Sequence, residues 1–219
     1  MKKYTLEFSS LLLTAAFLFA MVQTASALSL TFSNPASITI NSVGPATPYP
    51  VLINVSGLSG PVTDLNVVLT GLSHQFISDV GALLVGPAGQ SVVLFDAIGG
   101  STTNTTNVNL TLDDQAAASL SCTSAIASGT FKPTNCVVGD VFPPPAPGSG
   151  YGALLSGFNG TNPNGTWRLF INDFVAPNSG SVAGGFGLQI TIVPEPASLL
   201  LVALGFLIMA ARRRRRESY

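Results

Sequence analysis

Apolar residues recur at every second position through much of the chain between residues 28 and 192. The alternation is clearest in LSLTF, SITI, VLINV, DLNVVLTGL, NVNLTL, TWRLFI and GFGLQITIV. A period of two places one face of an extended strand against a core and the other face toward water. The pattern therefore predicts an all-β domain.

Two further segments, ALLVG and SVVLF, are apolar on consecutive positions. Such runs are typical of central strands that are buried on both faces, and the GPAG sequence between them is typical of a turn. Roughly nine short strands separated by Gly, Pro and Asn predict a two-sheet, jelly-roll-like β-sandwich. The predicted sandwich occupies residues 28–192, a length suited to one domain with its own core.

Residues 113–150 interrupt this pattern with a long irregular loop, apart from a short helix predicted at 115–120. Loops of this length in a compact domain are usually functional or mobile. Cys122 and Cys136 both lie in it. In an exported chain, two cysteines predict a disulfide, and closing a loop of about 15 residues contributes roughly 3 kcal/mol. A catalytic or metal-binding role for these cysteines has little support, because His74 is distant in sequence and no CxxC pattern occurs.

The N-terminus predicts that the protein is exported. Lys2 and Lys3 precede the apolar run LLLTAAFLFAMV, and ASA follows it. This order is typical of a secretory signal peptide, here residues 1–27, with cleavage before Leu28. An uncleaved N-terminal anchor is the alternative interpretation.

Charge limits the classes of partner that the domain can bind. Of the nine Lys and Arg residues, only Lys132 and Arg168 lie in 28–193, where seven Asp and no Glu occur. The formal charge of that span is therefore −5. Nucleic-acid binding depends on clustered basic residues, so the sequence predicts no nucleic-acid partner.

The sequence also contains little that predicts an enzyme. It has no GxSxG, HExxH or phosphate-loop motif, and His74 is its single histidine. We therefore expect a non-catalytic protein. The alternative is a hydrolase acting on an extracellular polymer, or a protease-accessory domain. In the hydrolase, acidic side chains would surround a deep cleft, with Asp113, Asp114 or Asp140 beside Asp79.

Two stretches, LNVVLTGLSHQFISDVGALLVGPAGQSVVLFDAIGG and NGTWRLFINDFVAPNSGSVAGGFGLQITI, carry a resemblance to a known family. Together they resemble the P domain, also called P/Homo B, that follows the protease domain in kexin- and furin-like convertases. The resemblance covers roughly 60–190 and includes His74 with Asp79 five residues later. It departs from the family at Gln75 and Gly81. It implies a β-sandwich of jelly-roll type.

Physical chemistry gives these residues structural roles. Trp167 lies on an alternating strand and is predicted to anchor the core. His74 is predicted to bond a carboxylate such as Asp79, or a backbone carbonyl. Gly165 and Gly180 are predicted to allow turns.

Calcium is the cofactor that the P-domain resemblance implies. Ca²⁺ takes six to eight oxygen ligands, and the domain is rich in Asp and Asn. Asp79, Asp96 and Asp173 are the candidate ligands, because each is predicted to lie at a strand end. No EF-hand motif is present.

The C-terminal residues 193–219 combine three elements. Val193, Pro194, Glu195 and Pro196 end the last strand, and 197–211 are free of charge. As a helix, these 15 residues would span roughly 22 Å, less than the hydrocarbon core of about 30 Å. The segment is predicted to be a transmembrane helix. The basic residues that follow, predicted to stop transfer and stay in the cytoplasm, are Arg212, Arg213, Arg214, Arg215 and Arg216.

This tail resembles the PEP-CTERM sorting signal of Gram-negative bacteria that make exopolysaccharide. The resemblance implies that 193–196 is recognised by an exosortase, a membrane enzyme that removes the tail after transient residence in the inner membrane. A simple membrane anchor is the alternative. We therefore expect an exported cell-surface or extracellular-matrix protein, associated with the biofilm, with exopolysaccharide as a candidate partner.

Overall fold

The computed structural model describes residues 26–101 and 104–194. Ala27–Val193 form a compact unit. The predicted signal peptide, most of the sorting segment and the arginine cluster lie outside the described residues. No helix in the described ranges is long and apolar enough to cross a membrane.

The predicted all-β fold is confirmed. Strands account for nearly all regular structure in the described residues, and the helical part is limited to two short 3₁₀ helices, Ile77–Asp79 and Leu155–Phe158. The strands, in chain order, are β1 (Leu28–Asn34), β2 (Ile38–Ile40), β3 (Gly44–Pro45), β4 (Val51–Val55), β5 (Val62–His74), β6 (Val80–Val85), β7 (Ser91–Asp96), β8 (Thr105–Leu112), β9 (Gly129–Phe131), β10 (Thr134–Asn135), β11 (Gly165–Asp173), β12 (Gly180–Val182) and β13 (Phe186–Ile192).

The strands form the two sheets that the sequence predicts. The first, sheet A, has the order β1-β13-β5-β12-β2, and β8 and β9 extend it from β5. The second, sheet B, has the order β10-β7-β6-β11-β3, and β4 also pairs with β11. Neighbouring strands are antiparallel, except that β9 is parallel to β8 and β10 is parallel to β7.

The alternating pattern explains how the core forms between the sheets. In β4, Val51, Ile53 and Val55 are buried, whereas Leu52 between them is 44% exposed. Trp167 on β11 is fully buried, and its Nε1 donates a hydrogen bond to the carbonyl oxygen of Pro163 at 2.9 Å. Its predicted role as a core anchor is confirmed.

Strands β6 and β7 are buried on both faces, as their continuous apolar sequences predict. One face of each contributes to the core between the sheets. The other face is covered by residues 137–153, which we call the strap. The strap inserts Phe142 into a second apolar cluster. The cluster's other buried members, all on sheet B, are Leu83, Val85, Val93 and Phe170.

The predicted helix at 115–120 is wrong. These residues form turns and bends, and Ser119 forms a bridge to Lys132. The carboxylate of Asp113 accepts a hydrogen bond from the backbone N–H of Gln115 at 2.7 Å. Such local side-chain bonds compete with helix formation.

The loop contains the predicted disulfide between Cys122 and Cys136, whose Cα atoms lie 5.7 Å apart. It also contains β9 and β10, which add short parallel strands to sheets A and B. The long insertion is therefore hydrogen-bonded to both sheets through these two strands.

Candidate functional site

The three predicted calcium ligands lie at element ends, but on different sides of sheet B. Asp173 ends β11, and the N–H of the next residue, Phe174, donates to the carbonyl oxygen of Asp79 at 2.7 Å. Asp96 ends β7 opposite Gly81, on the face under the strap. Within the described ranges, no three His, Cys, Asp or Glu residues are grouped closely enough to hold a metal ion. The three aspartates therefore do not form one site.

Asp173 instead pairs with His74, and both side chains are buried. His74 Nε2 lies 3.1 Å from Asp173 Oδ2. The backbone N–H of Phe76 donates to His74 Nδ1 at 3.1 Å, so Nε2 carries the ring proton. Burial raises the pKa of Asp173, while the N–H of Val175 and His74 oppose that shift and the charge of Asp79 adds to it.

This arrangement does not fit a calcium site. The protonated Nε2 of His74 lies 3.1 Å from the carboxylate oxygen that a cation would need, although the two atoms are not aligned as a hydrogen bond. The predicted structural role of His74 fits the geometry better, although its partner is Asp173 and not Asp79. Its Nδ1 accepts from the backbone N–H of Phe76 and its Nε2 faces Asp173, so both ring nitrogens contact the protein itself.

Asp96 lies beneath the strap because of an irregularity in β7. The pairing of β6 and β7 shifts register next to Ala82, and both Leu94 and Phe95 consequently face the core between the sheets. Asp96 is thereby turned to the opposite face, where only 2% of it is exposed. A β-bulge of this kind redirects the side chains that follow it.

The absence of a side chain at Gly81 makes room for this burial. A Cβ atom at Gly81 would lie 2.9 Å from Phe174 Cε2, and 3.0 Å from both Asp96 Oδ1 and Phe142 Cζ. The carboxyl group of Asp96 and two aromatic rings therefore fill the space above Gly81. In the part of the chain that the structure describes, Asp96 Oδ1 has no hydrogen-bond partner.

Asp140, on the strap, is the neighbour that changes the chemistry of Asp96. Burial raises the pKa of Asp96 to about 7, and the charge of Asp140 and a side-chain hydrogen bond with Asp140 contribute to the increase. Both burial and a second carboxylate nearby disfavour the ionised form of Asp96, so this side chain keeps its proton to a higher pH than an exposed aspartate.

Next to this pair, the strap encloses a pocket of about 400 Å³. Asp140 and Tyr151 line it together with Asn135 and the apolar side chains of Val93 and Pro133. The Tyr151 hydroxyl donates to the carbonyl oxygen of Pro147 at 2.6 Å. The sequence indicated that 113–150 is functional or mobile, but which of its residues meet depends on how the strap crosses sheet B.

The acidic side chains near the start of the loop lie away from the pair of Asp96 and Asp140. Asp114 accepts hydrogen bonds from the backbone N–H groups of Leu155 at 2.9 Å and Ser156 at 2.7 Å. Burial raises the pKa of Asp64, and the charge of Asp113 adds to the increase. The carboxyl groups proposed for a hydrolase thus lie in separate environments, with Asp140 beside Asp96.

Residues 193–216 match the PEP-CTERM protein-sorting motif. The predicted sorting signal is therefore present in the chain. The motif indicates an exported protein that an exosortase processes, and it implies export to the cell envelope of a Gram-negative bacterium.

Among solved structures, the chain is similar to a serine protease of Aeromonas sobria. The match to the protease alone has 17% sequence identity and a TM-score of 0.39. It covers 81% of this chain and 29% of the protease. For the protease in complex with its chaperone, the identity is 17%, the TM-score is 0.38, and the coverage is 82% of this chain and 29% of that chain. The chain thus spans less than a third of the length of those structures. No curated protein matches it.

Proposed function

We propose that this chain is a non-catalytic β-sandwich protein of the cell surface or extracellular matrix, sorted by an exosortase, that binds exopolysaccharide in the strap pocket. The observation that carries the proposal is the sorting motif at 193–216, which directly follows β13. A signal at this place delivers the sandwich outside the cytoplasm.

The environments of His74, Asp173 and Asp114 support a non-catalytic role. General acid–base catalysis requires a titratable group within reach of a bound substrate. His74 and Asp173 are buried against each other, and Asp114 accepts two backbone hydrogen bonds. The sandwich offers instead a pocket that combines apolar surface with a few polar groups.

The strap pocket has the size and lining of a small-molecule subsite. Its volume of about 400 Å³ falls within the range of roughly 300–1,000 Å³ that is usual for ligand pockets. Asp140, Asn135 and Ser149 offer oxygen and nitrogen atoms to ligand hydroxyl groups, and the carbon-rich walls suit the faces of sugar rings. A neutral polysaccharide fits this chemistry better than a polyanion, because residues 28–193 carry a formal charge of −5.

Replacing Glu195 by Ala tests the sorting step. In a host that contains the exosortase, we expect the wild-type chain to lose mass at its C-terminus and to leave the inner membrane. We expect the E195A chain to keep its full length and remain in the membrane fraction. Glu217→Ala, which lies just outside the matched residues, is the control and should be processed normally. Identical full-length products from wild type and E195A would favour a simple anchor.

Filling the pocket tests the binding step. We expect Ser149→Trp to reduce cosedimentation with purified exopolysaccharide at least tenfold, because the indole occupies the space of the ligand. Ser124→Trp places the same side chain on an exposed part of the loop away from the pocket and should bind like the wild type. Undiminished binding by S149W would contradict the assignment of the pocket, whatever the outcome for sorting.

A further inference from the structure

The strap is held at both ends and at points between them, one of which is the hydroxyl group of Tyr49, which donates to the carbonyl oxygen of Pro143 at 2.8 Å. At its start, the disulfide fixes Cys136, whose N–H also donates to the carbonyl oxygen of Asp96 at 2.9 Å. At its end, Gly152 exchanges backbone hydrogen bonds with Ser91 and Val93 at 2.7 and 3.0 Å. Between these anchors, the aromatic ring of Phe142 and the carboxyl group of Asp140 meet the outer face of sheet B.

We propose that a proton-dependent contact between the carboxyl groups of Asp96 and Asp140 keeps the strap closed over sheet B at acidic pH and allows it to open as the pH rises. The closed strap requires a neutral carboxyl group at Asp96, because its Oδ1 shares the space above Gly81 with the rings of Phe142 and Phe174 and has no hydrogen-bond donor among the described residues. When Asp96 is neutral, its O–H group can donate to Asp140. When both are ionised, they repel each other in a poorly solvated site.

Asp140 is the ionisable group that acts on Asp96 among the described residues. The neighbouring strands contribute uncharged groups, since β6 places Gly81 and β10 places Asn135 opposite Asp96. On β11, Asn172 shares this face, and the pair of Asp173 with His74 lies on the other side of the strand. The cation on β11, Arg168, lies opposite Val85 at the far end of β6, so within the described ranges no cation lies opposite Asp96 to replace its proton.

The sign of the effect follows from proton linkage. The closed strap raises the pKa of Asp96 from 3.8 to about 7, whereas opening exposes the group and returns it to its ordinary range. Between about pH 4 and 7 the closed form binds a proton that the open form has lost. The opening constant should consequently rise about tenfold per pH unit in that interval and level off above it.

Hydrogen exchange measured by mass spectrometry on the full chain in detergent micelles tests whether the contact between Asp96 and Asp140 controls opening of the strap. After correction for the intrinsic rates, we expect peptides from 137–153, which contain the hydrogen-bonded N–H groups of Phe142 and Gly152, to open at least tenfold more in the wild type at pH 7 than at pH 5. Asp96→Asn keeps an uncharged donor for Asp140 at every pH, so its opening constant should not change with pH. Asp64→Asn, a carboxyl group away from the strap, should behave like the wild type.

A pH-independent wild type, or a D96N strap that still opens with rising pH, would overturn the proposal. Loss of the dependence in D64N as well would assign it to the overall charge of the domain and also overturn it. If D96N does not fold, carboxyl ¹³C NMR of the wild type decides the question. We expect Asp96 to titrate near pH 7. Titration near pH 4 would refute the proton-dependent contact.

Discussion

Gly180 shows how closely a single residue determines the environment of the buried histidine. It lies in β12 directly opposite His74. A Cβ atom there would contact the carbonyl oxygen of Ser73 and would lie 2.9 Å from His74 Cα. The sequence predicted a turn at Gly180, but the residue belongs to a strand, and its lack of a side chain serves close packing.

We therefore expect Gly180→Ala to lower the free energy of unfolding by about 1–3 kcal/mol, because the backbone of β5 must move to admit the methyl group. Urea denaturation measures the difference. Gly148→Ala is a suitable control, since a Cβ atom at Gly148 meets no atom within 4 Å. Equal losses in the two variants would contradict this explanation.

The residues of the candidate site were only partly predictable. The alternating pattern was sufficient to place Trp167 in the core, because that prediction needs only the periodicity of its own strand. The partner of His74 depends on how β5, β11 and β12 are aligned, which local sequence does not determine. The pairing of Asp96 with Asp140 was missed for the same reason, since the bulge in β7 reverses the face that simple alternation assigns.

At the scale of elements, Asp114 connects the start of the long loop to a 3₁₀ helix. Its two carboxylate oxygens accept backbone hydrogen bonds from Leu155 and Ser156, at the beginning of Leu155–Phe158. We expect Asp114→Ala to lower the free energy of unfolding by about 1–2 kcal/mol, because two backbone donors lose their acceptor. Thermal denaturation of D114A beside Asp114→Asn, which keeps one acceptor, measures the effect. A D114N variant less stable than D114A would contradict it.

The disulfide is the second element-scale constraint, because it closes the part of the loop from Cys122 to Cys136. Replacing both cysteines by serine should lower the free energy of unfolding by roughly 3 kcal/mol, the chain-entropy value for a loop of about 15 residues. Chemical denaturation with and without a reductant checks this value. The reductant should destabilise the wild type and leave the double variant unchanged. A reductant effect on the double variant would show that another process is being measured.

For the molecule as a whole, three buried or partly buried aspartates share an upward pKa shift. Burial is the largest cause for Asp64, Asp96 and Asp173 alike. The folded chain therefore retains protons that the unfolded chain releases, and stability falls as the pH rises. For Asp96 the fall extends from about pH 4 to about pH 7, and Asp64 and Asp173 act in the same direction.

We expect the urea midpoint to be lower at pH 8 than at pH 5. The corresponding loss is about 2–3 kcal/mol, chiefly from Asp96, because the folded and unfolded chains differ by about one proton between pH 5 and pH 7. Asp96→Asn should remove part of the difference, as that position no longer titrates. A midpoint that is equal or higher at pH 8 would contradict the assignment.

The fold class was predictable because alternation and turn residues are local signals that thirteen short strands repeat in the described residues. The sandwich followed from the need of each half-apolar strand to bury one face. The strap was not predictable, since its sequence has no regular period and its position depends on apolar side chains of sheet B that are distant in sequence. The continuous apolar runs of β6 and β7 did indicate that something covers their second face.

The position of β13 also bears on the order of events during export. This strand lies between β1 and β5, with Leu28 opposite Ile192 at one end. A chain that crosses a membrane from its N-terminus exposes β1 first and β13 last, and until then sheet A lacks an interior strand. Folding of the sandwich can finish only when the residues just before the sorting motif have emerged. We therefore expect the sandwich to complete sheet A only after β13, the strand that directly precedes the sorting motif, has been exported.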